Sequence, residues 1–175
     1  MNQTTLDIPT QDINTLEATL QQMVAAHEAM LTLLSRKRDA LRQNDADALA
    51  QVAALEKEKV GRITELEKQR FTLVGRITLI LDPKANAPFR LGELADRLPE
   101  PERGRLLVLR QQLRERMQQV RDSVSVVRRA SETLMNHVQG LVQSVVMMAN
   151  GQTTYSQAGH QPTQQTAIRT INITA

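Results

Sequence analysis

The chain has 175 residues and a formal net charge of +3, and 41% of its residues are hydrophobic. This length allows one domain, and so small a net charge excludes strong bulk attraction to polyanions. Cys is absent, which excludes disulfides and thiolate metal sites. No basic stretch followed by an apolar one opens the chain, and no apolar run approaches about 18 residues. We therefore expect a cytoplasmic protein without membrane insertion.

A first helix is predicted after a short polar leader. Residues 1–9 contain a Pro and show no periodicity, so we expect them to be disordered. Thr10 or Asp12 can cap a helix that runs from about residue 10 to residue 43. The core-facing stripe of this helix advances by three or four residues with one step skipped: Ile13, Leu16, Leu20, Met23, His27, Met30, Leu34 and Leu41.

A second helix is predicted from residue 45 to about residue 81. The segment from Asn44 to Asp47 offers a stop for the first helix and a cap for the second, and so short a connection makes the two helices antiparallel. The second helix contains a repeat, in which Val60-Gly61-Arg62-Ile63-Thr64 recurs two heptads later as Val74-Gly75-Arg76-Ile77-Thr78. We expect close approach of a neighbouring helix at the two glycines. Neither copy follows a strand, so neither is a phosphate loop.

A short helix and a long third helix are predicted after the loop at residues 82–90. The short helix covers residues 91–98, and Pro99-Glu100-Pro101-Glu102 begins the long helix, which runs to about Ala149. At 1.5 Å per residue its length is roughly 70 Å, so we expect it to pack along other long helices. Its stripe is apolar at every position but one: Leu106, Leu109, Leu113, Met117, Val120, Val124, Val127, Ser131, Leu134, Val138, Leu141, Val145 and Met148.

These elements predict an all-α fold. We expect an elongated antiparallel helical hairpin plus one long third helix, which form a coiled-coil-like bundle over residues 10–149. Residues 150–175 are rich in Gln, Thr and Ser, and we predict a flexible, partner-binding tail. Tyr155 is the only Tyr of the chain, and the hydrophobic anchors of the tail are Ile168, Ile171 and Ile173.

The distal part of the third helix carries the clearest indication of a binding site. Its apolar surface is wider than a two-helix seam needs and comprises Leu141, Val142, Val145, Val146, Met147 and Met148. If the first two helices do not extend this far, the surface is exposed and marks a site for an amphipathic helix. If the first helix or a second copy of the chain covers it, the surface is structural. The residues alone leave both readings open.

Motifs of catalysis are missing from the sequence. The residues His27, His137 and His160 are far apart, and Leu31 occupies the position where a zinc-binding HExxH motif needs its second His. Neither GxSxG, Walker A nor GxGxxG occurs. We therefore expect no enzyme activity, no cofactor, no metal site and no small-molecule substrate.

Arginine is concentrated early in the third helix, where residues 102–129 hold eight Arg against three acids. Gln and acids are interleaved with the Arg residues, aromatic residues are absent, and the Arg positions spread around the helix. We interpret this segment as a solvated face with partner-docking duties rather than a nucleic-acid interface.

The order of the parts resembles the FlgN-like flagellar export chaperones: two helices, a loop with a short Leu-rich helix, one long helix and a tail. The shared motifs are His27-Glu28, Leu33-Leu34, Leu41, the Asn44-Asp45 turn, Leu49, and Lys57 or Lys59 leading to Arg70. In the tail, Tyr155-Ser156-Gln157-Ala158-Gly159 is similar to the tyrosine-and-glycine signature of the family. The segment 169–175 is similar to its terminal pattern, with Asn172-Ile173-Thr174 in place of Asp-x-Lys.

The resemblance implies a cytoplasmic, non-enzymatic chaperone of flagellar type III secretion. Such a protein binds the C-terminal helices of hook-associated (hook–filament junction) proteins, prevents premature assembly and delivers them to the export apparatus. The resemblance places cargo binding at the distal third helix with the tail, and there we select Leu134, Val138, Leu141, Val142, Val145 and Met148. It makes Tyr155 a candidate contact with the export gate.

Two alternatives to a chaperone remain from the residues. One is a structural coiled-coil adaptor that self-associates through the apolar end of the third helix. The other is an Arg-mediated nucleic-acid binder.

Overall fold

The computed structural model describes residues 10–149, which form four helices and no strand: α1 (Thr10–Gln43), α2 (Ala46–Leu81), α3 (Leu91–Ala95) and α4 (Glu102–Ala149). The all-α prediction, with a helical hairpin and one long third helix, is confirmed. The predicted leader at residues 1–9 and tail at residues 150–175 lie outside the described residues. The chain divides into two compact units, Met1–Leu134 and Met135–Ala175.

The turn between α1 and α2 is built by two adjacent residues with different tasks. Asn44 has a φ of 54°, which is the left-handed conformation that ends many helices. Its N–H donates to the carbonyl of Leu41, and the N–H of Asp45 donates to the carbonyl of Ala40, the bonding pattern of a Schellman motif. The Asp45 carboxylate then accepts from the N–H of Ala48 at 2.9 Å and caps α2. The chain therefore reverses within a few residues, with hydrogen bonds at the end of α1 and at the start of α2.

Side-chain contacts show that α1 and α2 run antiparallel. Asp12 pairs with Arg76. Gln22 accepts a hydrogen bond from Arg62 at 2.7 Å, and Lys37 forms an ion pair with Glu56 at 2.6 Å. As the residue number rises along α1, the number of its partner on α2 falls.

The same reasoning shows that α1 and α4 run parallel. The Nε of Arg105 donates to Glu17 at 3.0 Å, and the Nε of Arg116 donates to Glu28 at 2.9 Å. Both pairs are separated by 88 positions, so a step of eleven residues along α1 matches a step of eleven along α4. Eleven residues make about three helical turns, so Arg105 and Arg116 leave α4 from nearly the same side and reach α1.

The main core of the first unit lies where all four helices meet. Its buried residues come from α1, α2, the α3 segment and the first third of α4: Ile13, Leu16, Leu20, Met23, Leu66, Val74, Ile77, Leu94, Ala95, Leu98, Leu106, Leu109 and Leu113. A smaller cluster is centred on Met30, Leu34 and Val127. The offset of 88 places Gln43, the last residue of α1, level with Ser131 of α4.

The short helix α3 ends at Ala95, whereas the sequence predicted an end at residue 98. The N–H groups of Arg97 and Leu98 donate to the carbonyls of Leu94 and Ala95, three residues back, which tightens the chain into a turn. Pro99 follows and disfavours helical conformation at the residue before it. Leu98 is still buried in the core.

The prediction of close helix approach at the repeated glycines is wrong. A Cβ built on Gly61 would have nothing within 4 Å, and one built on Gly75 would meet only the Pro88 side chain of the following loop, at 3.8 Å. The repeat instead places two arginines: Arg62 and Arg76 both reach α1. Two heptads separate them, so they leave α2 from nearly the same face.

Candidate functional site

The second unit presents a broad apolar surface on α4. Every residue from Met135 to Ala149 is exposed. Seven large hydrophobic residues in this stretch form what we call the distal apolar face: Met135, Val138, Leu141, Val142, Val145, Val146 and Met148. A contiguous apolar surface open to solvent indicates a binding site, because it contributes nothing to the core of the chain that carries it.

Helical geometry determines which side chains share this face. At about 100° per residue, the seven members fall within an arc of roughly 160°. Met147 lies on the opposite side of the helix with Gln143, although the sequence analysis included it in the wide apolar surface. Its exposure, 52%, is similar to that of Val145, 64%. Met147 is therefore a residue of comparable size and exposure outside the distal apolar face.

The distal apolar face carries no formal charge. The sequence holds no Asp, Glu, Lys or Arg from Thr133 to Ile168. Among the described residues of this stretch, His137 is the one titratable side chain, and it is exposed near the edge of the face. Long-range electrostatic steering therefore has no source here, and recognition depends on apolar burial.

The structure groups five of the six predicted cargo-binding residues: Val138, Leu141, Val142, Val145 and Met148 belong to the distal apolar face. Leu134, the sixth, is the last residue of the first unit and is half-buried. Tyr155 and the tail anchors Ile168, Ile171 and Ile173 lie outside the described residues. Their assignment stays a prediction.

The sequence analysis described the arginines of α4 as spread around the helix, but seven of the eight lie on two sides. Arg105 and Arg116 face α1 and pair with its acids. The hydrogen bond that Arg105 donates to the Glu17 carboxylate raises the pKa of Arg105 above its usual value. Five others share one stripe about 40° wide, which we call the arginine stripe: Arg103, Arg110, Arg114, Arg121 and Arg128. Their near-heptad spacing was the signal in the sequence that could have revealed the stripe.

Other kinds of site find little support in the described part of the chain. His27 is buried within α1, where its Nδ1–H donates to the carbonyl of Met23 at 2.8 Å. It is therefore a satisfied core residue. No group of three or more potential metal ligands occurs within residues 10–149. None of the described helices combines the length and apolarity that a membrane crossing requires.

Comparison with known proteins adds one finding. The sequence model of a family described as FlgN protein matches residues 6–163 of the chain. This match covers α1 to α4 and continues beyond the described residues. No curated protein and no solved structure gives a significant match.

Proposed function

The chain belongs to the FlgN protein family, and on that premise we propose that it binds the C-terminal helices of flagellar hook-associated proteins. Membership makes it a chaperone of flagellar assembly and export, and the family is not enzymatic. In the proposed role it acts in the cytoplasm, prevents premature assembly of its cargo and delivers the cargo to the flagellar type III export apparatus.

The observation that carries this proposal is the distal apolar face. An amphipathic cargo helix can lay its own apolar side along an arc of this width, as helix-in-groove complexes do. Such a helix, unpaired before export, is also the surface through which a self-assembling protein aggregates. Covering it with a neutral apolar face therefore achieves both protection and recognition. Met148, 79% exposed, adds an adaptable side chain at the end of the face.

The expected strength of binding suits a transient complex. The seven side chains are only partly exposed, so burial of each contributes about 1–2 kcal/mol, and the sum is roughly 7–14 kcal/mol. Association itself costs about 4–15 kcal/mol. The face alone then supports weak and reversible binding, and release at the export apparatus needs no bond chemistry. We propose that the tail, with Ile168, Ile171 and Ile173, supplies further contacts to cargo.

The test replaces the centre of the face by charge. We expect Leu141→Asp with Val145→Asp to abolish binding of a purified hook-associated protein in calorimetry, because two buried carboxylates would face an apolar helix. The matched control is Gln143→Asp with Met147→Asp, which adds the same charge to the opposite side of the same turns.

The two double variants must first show equal helix content by circular dichroism. Normal cargo binding by Leu141→Asp with Val145→Asp would place the site elsewhere. Equal loss in both variants would show that the added charge, and not the face, is responsible.

Self-association is the second candidate role, because the same exposed face could meet a second copy. Analytical ultracentrifugation separates the two roles. If the chain is a structural adaptor, it should form a tight dimer, and Leu141→Asp with Val145→Asp should convert this dimer to monomer. Addition of a hook-associated protein should then leave the dimer intact.

A further inference from the structure

A groove with a different character lies in the first unit, between α2 and α4. Its volume is about 260 Å³. The floor is apolar and consists of Leu91, Leu113 and Met117. The walls are cationic, since they hold four arginines and one carboxylate, that of Glu67.

Within residues 10–149, three of the four groove arginines have no carboxylate partner. Arg70 pairs with Glu67 at 2.8 Å. Among the described residues, no acid lies within salt-bridge distance of Arg110, Arg114 or Arg121: the last donates only to the neutral amide of Gln118. On the α1 side of α4, by contrast, Arg105 and Arg116 both pair with acids. In the part of the chain that the structure describes, the positive charge of α4 is therefore uncompensated on the groove side.

The arginines at the two ends of the arginine stripe form ion pairs. The part of the stripe along the groove, which we call its open part, lies between them. Arg103 bonds Asp96 at 3.3 Å, and Arg128 bonds Glu132 at 2.8 Å. Between them, Arg110 and Arg121 are eleven residues apart, about 16 Å along the helix. The open part is thus three helical turns long. On the α2 side, a shallow depression shares Glu67 and Arg70 with the groove. The exposed Phe71 lies in this depression and extends the apolar surface of the groove.

We propose that this groove binds an acidic amphipathic helix of a partner protein. Leu- or Met-type side chains of that helix would cover Leu91, Leu113 and Met117, while flanking carboxylates would meet Arg110, Arg114 and Arg121. Guanidinium groups are suited to this task because they present several donors in a rigid fork to a carboxylate.

Other occupants use only part of the groove. Nucleic-acid phosphates would engage the arginines but would gain nothing from the apolar floor. The chain's own segments outside the described residues are short of acids: residues 150–175 contain none, and residues 1–9 contain only Asp7. An acidic partner helix is the occupant that matches both the charge and the floor.

This surface differs from the distal apolar face in the chemistry it selects. The distal apolar face is neutral, and the groove is cationic over an apolar floor. Two partners could therefore be bound by the same chain, one insensitive to salt and one weakened by salt.

The test uses the full chain and a fluorescein-labelled synthetic peptide of about 18 residues, long enough to span the open part of the stripe as a helix. The peptide carries Leu at helical spacing flanked by Glu, and its matched control has Gln at every Glu position. Fluorescence anisotropy should show saturable binding of the Glu peptide, about tenfold tighter than the Gln peptide. High salt should weaken binding of the Glu peptide.

Arg110→Gln with Arg114→Gln should weaken Glu-peptide binding about tenfold. Arg36→Gln with Arg129→Gln removes the same charge from exposed positions outside the arginine stripe, and it should change the affinity less than about twofold. The Leu141→Asp, Val145→Asp variant should bind the Glu peptide normally, which separates this site from the distal apolar face.

Three results would overturn the proposal: no saturable binding of the Glu peptide, equal affinity for the Gln peptide, or equal loss in both arginine variants. Tighter binding of a generic DNA duplex, lost through Arg110→Gln with Arg114→Gln, would assign the groove to nucleic acid instead. Failure of the peptide test leaves cargo capture by the distal apolar face intact, because the groove and the face share no residue.

Discussion

At the scale of single residues, the reversal between α1 and α2 depends on Asn44 because of its positive φ. Asn tolerates the left-handed conformation better than other side-chain-bearing residues, and Gly adopts it without steric cost. We expect Asn44→Ala to lower the free energy of unfolding by about 1 kcal/mol, and Asn44→Gly to leave it unchanged or raised. Urea denaturation followed by circular dichroism measures both. Equal destabilisation by Ala and Gly would mean that the Asn side chain, and not its φ, is what matters.

Tyr155 is a second residue whose role is testable, although it lies outside the described residues. If it contacts the export gate rather than cargo, Tyr155→Ala should leave cargo affinity in calorimetry nearly unchanged and should reduce secretion of the cargo from cells. Tyr155→Phe keeps the ring and serves as the control. A loss of cargo affinity in the Ala variant would merge the two roles.

Single residues also show where sequence reasoning succeeds and fails. The interior position of His27 followed from the helical period alone, because the period places it among buried residues of α1. The partners of the arginines could not be predicted. They depend on which helix lies beside which face, and the sequence of α4 alone does not show that Arg105 meets Glu17 while Arg110 faces a groove.

At the scale of elements, the first unit is stabilised where α3 packs against the three long helices. Leu106 has no exposed surface, and it shares its cluster with buried residues of the other three helices. We expect Leu106→Ala to lower the free energy of unfolding by about 2–5 kcal/mol, because the cavity it leaves cannot collapse easily. Leu79→Ala, on a side chain 57% exposed, should change it by less than about 0.5 kcal/mol. Similar values for both in urea denaturation would contradict this core.

The helices themselves were predictable because their apolar periods are long and nearly continuous, and because Asn44, Asp45 and Pro99 mark breaks by known chemistry. The end of α3 was less predictable. Leu91, Leu94 and Leu98 fit a helix by spacing, yet the last of them is reached by a tightened turn that buries it equally well. Burial constrains where a side chain lies more strictly than it constrains the backbone that carries it there.

At the scale of the whole molecule, the two units differ in kind. The first unit has two buried clusters and many cross-helix ion pairs, whereas the described part of the second has a face without charge and without burial. The sequence predicted a wide apolar surface at this place but left open what covers it. Within the described residues it is exposed, which indicates a binding surface.

Site-specific photocrosslinking in cells tests the proposed contact between the distal apolar face and cargo. A photoreactive phenylalanine would replace Val145 on the face, or Met147 on the opposite side as the matched control. We predict a crosslink to a hook-associated protein from position 145 and little or none from position 147. A crosslink from position 145 to a second copy of this chain, or equal crosslinking from both positions, would contradict it.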